Sequence, residues 1–302
     1  MPTIDISTLP APEIVEQKDY DTILAEMLAD LQSRDPELDI NVTDPSYRTL
    51  EVSAYREFLL RQEFNDRARA MLLAFASGSD MDHIGVTYYQ LERLVITPGD
   101  PSAVPPVDPV YESDEAYLER LLLSEQGQSV AGPVGSYKFL SMSADGQVKD
   151  TKPLAHTPNP GDITIVILSH TGDGTADQAL QDIVDAALSD EDVRPMNDTP
   201  IVQSATILDY TINATLALFP GADEATTLQS ANDSAQSFVD SQHMIGRTIT
   251  LDGVLGALRV SGVSKVTLNN TVGTDITAEK AVSDTEAAYC SGITIAMGGY
   301  DE

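Results

Sequence analysis

The chain has 302 residues, 42% of them hydrophobic, enough for two or three compact domains that each bury a core. Its 48 Asp and Glu against 17 Lys and Arg set a formal net charge of -31, and every third of the sequence is net acidic. Such a surface repels phosphate backbones and anionic lipid, so DNA, RNA and membrane surfaces are poor candidates for partners, and proteins or small solutes are left.

The single cysteine, Cys290, rules out an intrachain disulfide framework and any zinc site built from several thiolates. The opening "MPTIDISTLPAPEIVEQ" has neither a basic n-region nor an apolar h-region. Nowhere do 18 consecutive apolar residues occur, so no secretion signal and no membrane span are expected.

In chain order, "DYDTILAEMLADLQSR" sets Ile23, Leu24, Met27, Leu28 and Leu31 at helical spacing, with Asp residues suited to a helix start. Two Asp-Pro pairs then mark turns. "AYREFLLRQEFNDRARAMLLAFAS" follows as a second helix, a rod about 40 Å long at 1.5 Å per residue. On a helical wheel Val52, Tyr55, Leu59 and Leu73 form one apolar stripe, while Leu60, Phe64, Met71 and Phe75 form another on nearly the opposite side. A helix with one neighbour needs one stripe. The second is therefore a candidate partner interface, with packing inside its own domain as the competing reading.

"ITPGDPSAVPPVDPVYES" carries five prolines between Pro98 and Pro109 and reads as an extended, semi-rigid connector. After it come two short helices, "SDEAYLERLLLSEQG" with Ser113 as N-cap and "AGPVGSYKFLSMSADG" with Pro133 near its first turn. In "GDITIVILSH" the β-branched run suits a strand covered on both faces, and "TADQALQDIVDAALSD" is an amphipathic helix behind it. "TPIVQSATILDYTINATLALFP" offers one or two further strands. A helix over "ADEATTLQSANDSAQSFVDSQ" is followed by a short strand, a helix and a strand in "GRTITLDGVLGALRVSGVSKVTL", then by a closing strand in "CSGITIAMGG". The expected fold is α+β: a helical domain over 1–95, the connector over 96–112, a central helical and α/β domain over 113–200, and a C-terminal α+β domain over 201–302. The small mixed sheets number one or two.

Candidate chemistry is sparse. "ILSHTGDGTADQAL" places glycines between a strand and a helix, yet it matches no phosphate-loop spacing, lacks lysine and holds an Asp where an anion would bind, so it reads as a turn and N-cap. "GSDMDHIG" gathers Asp80, Asp82 and His83, but one helical turn cannot aim all three inward at a metal. Gly78 as a helix C′ residue and Ser79 or Asp80 as the next N-cap explain the same letters. His156, His170 and His243 lack HExxH spacing, and no Ser lies in GxSxG. A glycosidase-like carboxylate pair stays open, since 48 acids make any pair uninformative. No catalytic, cofactor-binding or metal residue is assigned.

"DPSYRTLEVSAYREFLLRQEFNDRARAMLLAFASGSDMDHIG" resembles the hallmark segment of the baseplate J-like family of contractile-tail bacteriophages, with its LE, AYRE, LLRQ and N-x-x-A stretch followed by A-x-G-x-D-M-D. The similarity continues through "ESDEAYLERLLLSEQG", "AGPVGSYKFLSMSADGQVKD", "VRPMNDTPIVQSA" and "IGRTITLDGVLGALRVSGVSKV". Arg67 and His83 depart from the family pattern, which has small or polar residues there. The resemblance implies a non-catalytic structural component of a tail baseplate wedge, needed for baseplate and tail assembly. It would be assembled in the bacterial host cytoplasm and lodged in the virion. The implied partners are other wedge and tail proteins, a second copy of the chain among them, close to the central spike and sheath. The competing classes are a soluble acidic-surface enzyme and a tail assembly chaperone absent from the virion.

Overall fold

The computed structural model describes residues 6–37, 40–129, 131–155, 158–190, 193–270 and 275–301. It divides between Arg93 and Leu94 into two compact units.

In the first unit, a 3-10 turn over Ile6–Thr8 precedes α1 (Tyr20–Arg34) and α2 (Pro45–Ala70). The Asp19 carboxylate accepts from the Thr22 amide at 2.7 Å and satisfies one orphan donor at the start of α1. Pro45 occupies the first turn of α2, where a missing N–H costs nothing. α1 and α2 pack through Ile23, Leu24 and Ala54, flanked by Tyr20, Met27, Leu28, Tyr47, Leu50 and Phe58. α2 ends well before Gly78: Leu72 bonds back to Arg69 and Phe75 back to Leu72, so residues 71–75 form further turns. Gly78 therefore does not close α2. At φ 52 and ψ -129 it is the N-cap of α3 (Ser79–Ile84), which runs into a π turn over Gly85–Tyr89.

In the second unit, β1 (Val95–Thr97) and β2 (Val110–Tyr111) pair antiparallel, and Asp100 and Val107 exchange backbone hydrogen bonds between them. The proline-rich stretch thus folds back on itself as a hairpin loop. Leu94 donates its amide to the Glu112 side chain at 2.9 Å, and Glu112 also pairs with the buried guanidinium of Arg120. Arg120 lies on α4 (Asp114–Gly127), capped by Ser113, and stacks over Tyr117 at 5.4 Å. α5 (Val134–Ala144) follows, entered through Pro133.

Two three-stranded sheets complete the unit. In the first, β3 (Val148–Ala155) pairs antiparallel with β4 (Asp162–Ser169), and β4 pairs parallel with β5 (Thr199–Ser204) through α6 (Gln178–Leu188). Pro153 sits on the edge strand β3, where its missing donor is tolerated. β4 is covered on both faces, as its β-branched run implies. Ile163, Ile165 and Ile167 meet Tyr137, Leu180, Val184 and Leu188, while Val166 and Leu168 meet Ala205, Ile245 and Ala287.

The chain then passes, with Ala205 alone between, from β5 into β6 (Thr206–Leu218), the centre of the second sheet. β6 pairs antiparallel with β7 (Val263–Leu268) and parallel with β8 (Glu286–Tyr300), under α7 (Glu224–Gln242) and α8 (Leu251–Leu258). The expected short strand before α8 reduces to an isolated bridge between Ile249 and Lys280. The 200/201 boundary read from the sequence falls inside β5. No helix among the described residues is long and apolar enough to cross a membrane.

Asp150 ties the two sheets together. Buried on β3, it accepts from the Thr151 amide at 2.8 Å and, across the seam, from the Ile245 amide at 2.9 Å; burial pushes its carboxyl up. Beside it His243 sets Nδ1 3.0 Å from the Lys149 ammonium, and burial together with that charge lowers the imidazole to about 4. Asp150→Asn turns one acceptor into a donor facing an N–H, so chemical denaturation should register a loss of about 1–3 kcal/mol. His243 favours the neutral ring in the fold. Its contribution is therefore intact above pH 6.5 and is lost as pH falls through that value toward 4, whereas protonation of Asp150 acts in the opposite direction. His243→Asn should lose less stability than the parent chain between pH 7 and 4 in the same titration.

Candidate functional site

The hallmark helix α2 is a surface element on most of its circumference. Its buried side is formed by Tyr47, Leu50, Ala54 and Phe58, at the i, i+3, i+4 spacing of a packed face. Neither of the two stripes picked out on the wheel is this side. Val52 and Tyr55 are exposed and Leu59 is only partly shielded, while Leu60 is 63% and Phe64 55% exposed. Met71, 78% exposed, caps the helix, and Leu73 and Phe75 lie beyond it as half-buried turn residues. The candidate interface therefore divides into Leu60 and Phe64 on the helix and Met71 and Phe75 after it.

The inner stripe escaped the wheel because an alanine and two ring residues carry it, beside louder leucines. Its readable signal was Leu50, Ala54 and Phe58 at strict fourfold spacing.

The Asn of the hallmark motif, Asn65, also has a structural task that no periodicity announced. Only 1% exposed, its side chain accepts from the amides of Ile14 at 3.1 Å and Val15 at 2.9 Å and donates to the Val15 carbonyl at 2.8 Å. Arg61 adds a bond to the Glu16 carbonyl at 3.1 Å. These bonds strap the extended segment before α1 onto α2, reading backbone rather than side chains.

Local electrostatics differ from the chain as a whole. α2 carries five arginines against four acids in a protein of net charge -31. Pairs of one helical turn, Glu57 with Arg61 at 2.7 Å and Glu63 with Arg67 at 2.6 Å, hold the charges in place. These exposed pairs add only a few tenths of a kcal/mol each. Their main effect is to leave Leu60 and Phe64 in a neutral setting.

Beyond the helix end, Arg67, Met71, Asp80, His83, Ile84 and Tyr88 line an open groove of about 400 Å³. Of the acidic trio with His83, Asp80 and His83 line this groove, whereas Asp82 pairs with Arg93 at 2.8 Å. Among the described residues no three His, Cys, Asp or Glu side chains converge for a metal ion. His170 and His243 belong to the second unit, and His156 lies outside the described residues.

The glycine loop after β4 is closed by its own chain: Ser169 donates to the Gly174 carbonyl at 2.8 Å. Asp173 and Asp177 accept from Thr175 and Leu180, the second as N-cap of α6. Carboxylates fill the place an anion would take. Cys290 is a half-buried free thiol, pushed up by burial.

α2 is thus an exposed, nearly charge-balanced helix that offers a surface. The chain belongs to the baseplate J-like family. The model of the Baseplate J-like N-terminal domain matches residues 43–100, which include α2 and the groove, and that of the C-terminal domain matches 210–296, within the second sheet and its helices. Baseplate protein J of Escherichia phage P2 is 40% identical over 310 residues, covering the whole of both chains. A chain in the cryo-EM structure of the anti-feeding prophage baseplate, 6-fold symmetrised, aligns with a TM-score of 0.40 and 12% identity over 61% of this chain and 43% of that one.

Asn65→Ala should release the strap. Trypsin is expected to cut after Lys18 faster than in the parent protein, and denaturation should register a loss of about 1–3 kcal/mol from the unpaired amides. Unchanged cleavage would assign the strap to other contacts.

Proposed function

We propose that the chain is a structural component of a phage tail baseplate that acts through contacts with other baseplate proteins. One observation carries this: 40% identity along the entire length of a relative named Baseplate protein J. The uncovered apolar side of α2 supports it physically, because Leu60 and Phe64 remain in water unless another surface covers them.

In this reading the chain is a non-catalytic wedge component, assembled in the host cytoplasm and carried in the virion tail. Its neighbours are other wedge and tail proteins, those near the central spike and sheath and a second copy of the chain among them. Residues 1–95 supply the contact surface Leu60, Phe64, Met71 and Phe75, and residues 113–302 supply the sheet scaffold. The proline-rich residues 96–112 join these parts in sequence. Covering the stripe gains about 25 cal/mol per Å² of apolar surface removed from water.

The test is a double substitution, Leu60→Asp with Phe64→Asp. Both side chains are exposed, so thermal melting should stay cooperative, with a change within about 0.5 kcal/mol per site. Complementation of a phage lacking the parent gene should then yield no complete tails. A double variant that unfolds would make the stripe core. Recovery of the parent chain from infected cells, with none in purified tails, would make it an assembly chaperone.

A further inference from the structure

The second sheet ends at β8. Beyond an isolated bridge between Ile245 and Ala287, no strand of the described residues flanks its outer edge. The opposite edge, β7, is six residues long and carries Lys265, a common guard against unwanted pairing. β8 is fifteen residues long, and from Ala287 to Tyr300 it contains neither a charge nor a proline. A long edge of open N–H and C=O groups is a template for an added strand.

The edge is also interrupted where a guest would enter. Tyr210 pairs with Cys290 and Thr211 with Gly292, so Ser291 is an extra residue, a bulge that kinks the strand. There a groove of about 490 Å³ opens between residues 289–293 of β8 and Asn232, Asp233 and Gln236 of α7. Its lining comes from α7 and β8, with no β6 residue among the wall residues.

The walls select the guest. Asn232 and Gln236 are neutral amides, and Asp233 accepts from the Gln229 amide at 2.7 Å, a neutral partner that leaves the carboxylate charge in place. An acidic guest is repelled twice, by Asp233 and by the net charge of -31. A second copy of this chain, with 17 cations against 48 acids, has the wrong sign.

We infer that the groove and the outer edge of β8 take up an extended, basic segment of a partner protein as an added strand, with a Lys or Arg of that segment facing Asp233. This rests on the reading of the chain as an assembly protein and names the chemistry of one contact.

Cys290 lines the groove and is the single cysteine, so its alkylation by N-ethylmaleimide reports occupancy in the full chain. The probes are two capped heptapeptides of alternating threonine with a central valine, one carrying two lysines and the other two glutamates. The lysine peptide should slow alkylation several-fold and the glutamate peptide should not. Asp233→Lys, an exposed change on α7, should exchange that preference while the helical signal in circular dichroism stays the same. Equal protection by both peptides, or by neither, overturns the inference. Protection that rises with protein concentration alone also overturns it, because the occupant is then a second copy. If the peptides fail while the chain is present in purified tails, this inference falls and the baseplate reading stands; absence from tails removes the wider reading.

Discussion

The fold of the second unit depends on β4 needing cover on both faces. Ile165, Val166, Ile167 and Leu168 are all fully buried, and each such side chain stabilises the fold by about 1.5–3 kcal/mol relative to exposure. One face is met locally by α5 and α6. The other is met by residues far along the chain, Ile207, Ile245 and Ala287, so the first sheet is complete only when the second has formed. The passage from β5 to β6 through Ala205 makes this economical, because one extended run serves both sheets. Ala205 itself is buried, and its amide donates to the Ile167 carbonyl at 2.9 Å. Asp150 then fixes the seam with a bond that apolar packing cannot supply, the one to the Ile245 amide.

The acidity sets a second constraint, on how the protein meets others. Carboxylates at the helix starts have a local use: Asp19, Asp177 and Asp223 each accept from an amide three residues on. Most of the others remain as net charge, which opposes contact between like surfaces. Surfaces suited to close approach are therefore those where the charge is balanced or absent. α2 achieves balance by one-turn pairs, and β8 achieves it by carrying no charge at all over its last fourteen residues.

Local signals were legible in the sequence and distant ones were not. The N-cap at Ser113, the entry of α5 through Pro133 and the β-branched run that marks β4 as buried on both faces are written in adjacent residues, and all appear as read. The boundary after α2 was misplaced because Gly78 is a capping residue in either direction, and the turns over 71–75 use residues with no turn preference. The folding back of the proline-rich stretch depends on Asp100 and Val107 meeting across three intervening prolines and their neighbours, which composition does not encode. For the candidate site, the exposure of Leu60 and Phe64 was foreseeable only by first identifying the quieter stripe of Tyr47, Leu50, Ala54 and Phe58 that faces α1. The partners of Asn65 lie fifty residues away, and no pattern in one sequence connects them.

The strand edges carry the same logic one step further. β3 protects its edge with Pro153 and with Lys149 and Lys152, and β7 does so with its short length and Lys265. Each device makes addition of another strand unfavourable, through a missing donor or a charge that must be buried. β8, the longest of the edge strands, carries neither device from Ala287 to Tyr300. The bulge at Ser291 keeps that edge selective, because it breaks the regular register and a guest must match a kinked edge rather than a flat one. Asp233 then adds a requirement of charge to a requirement of shape.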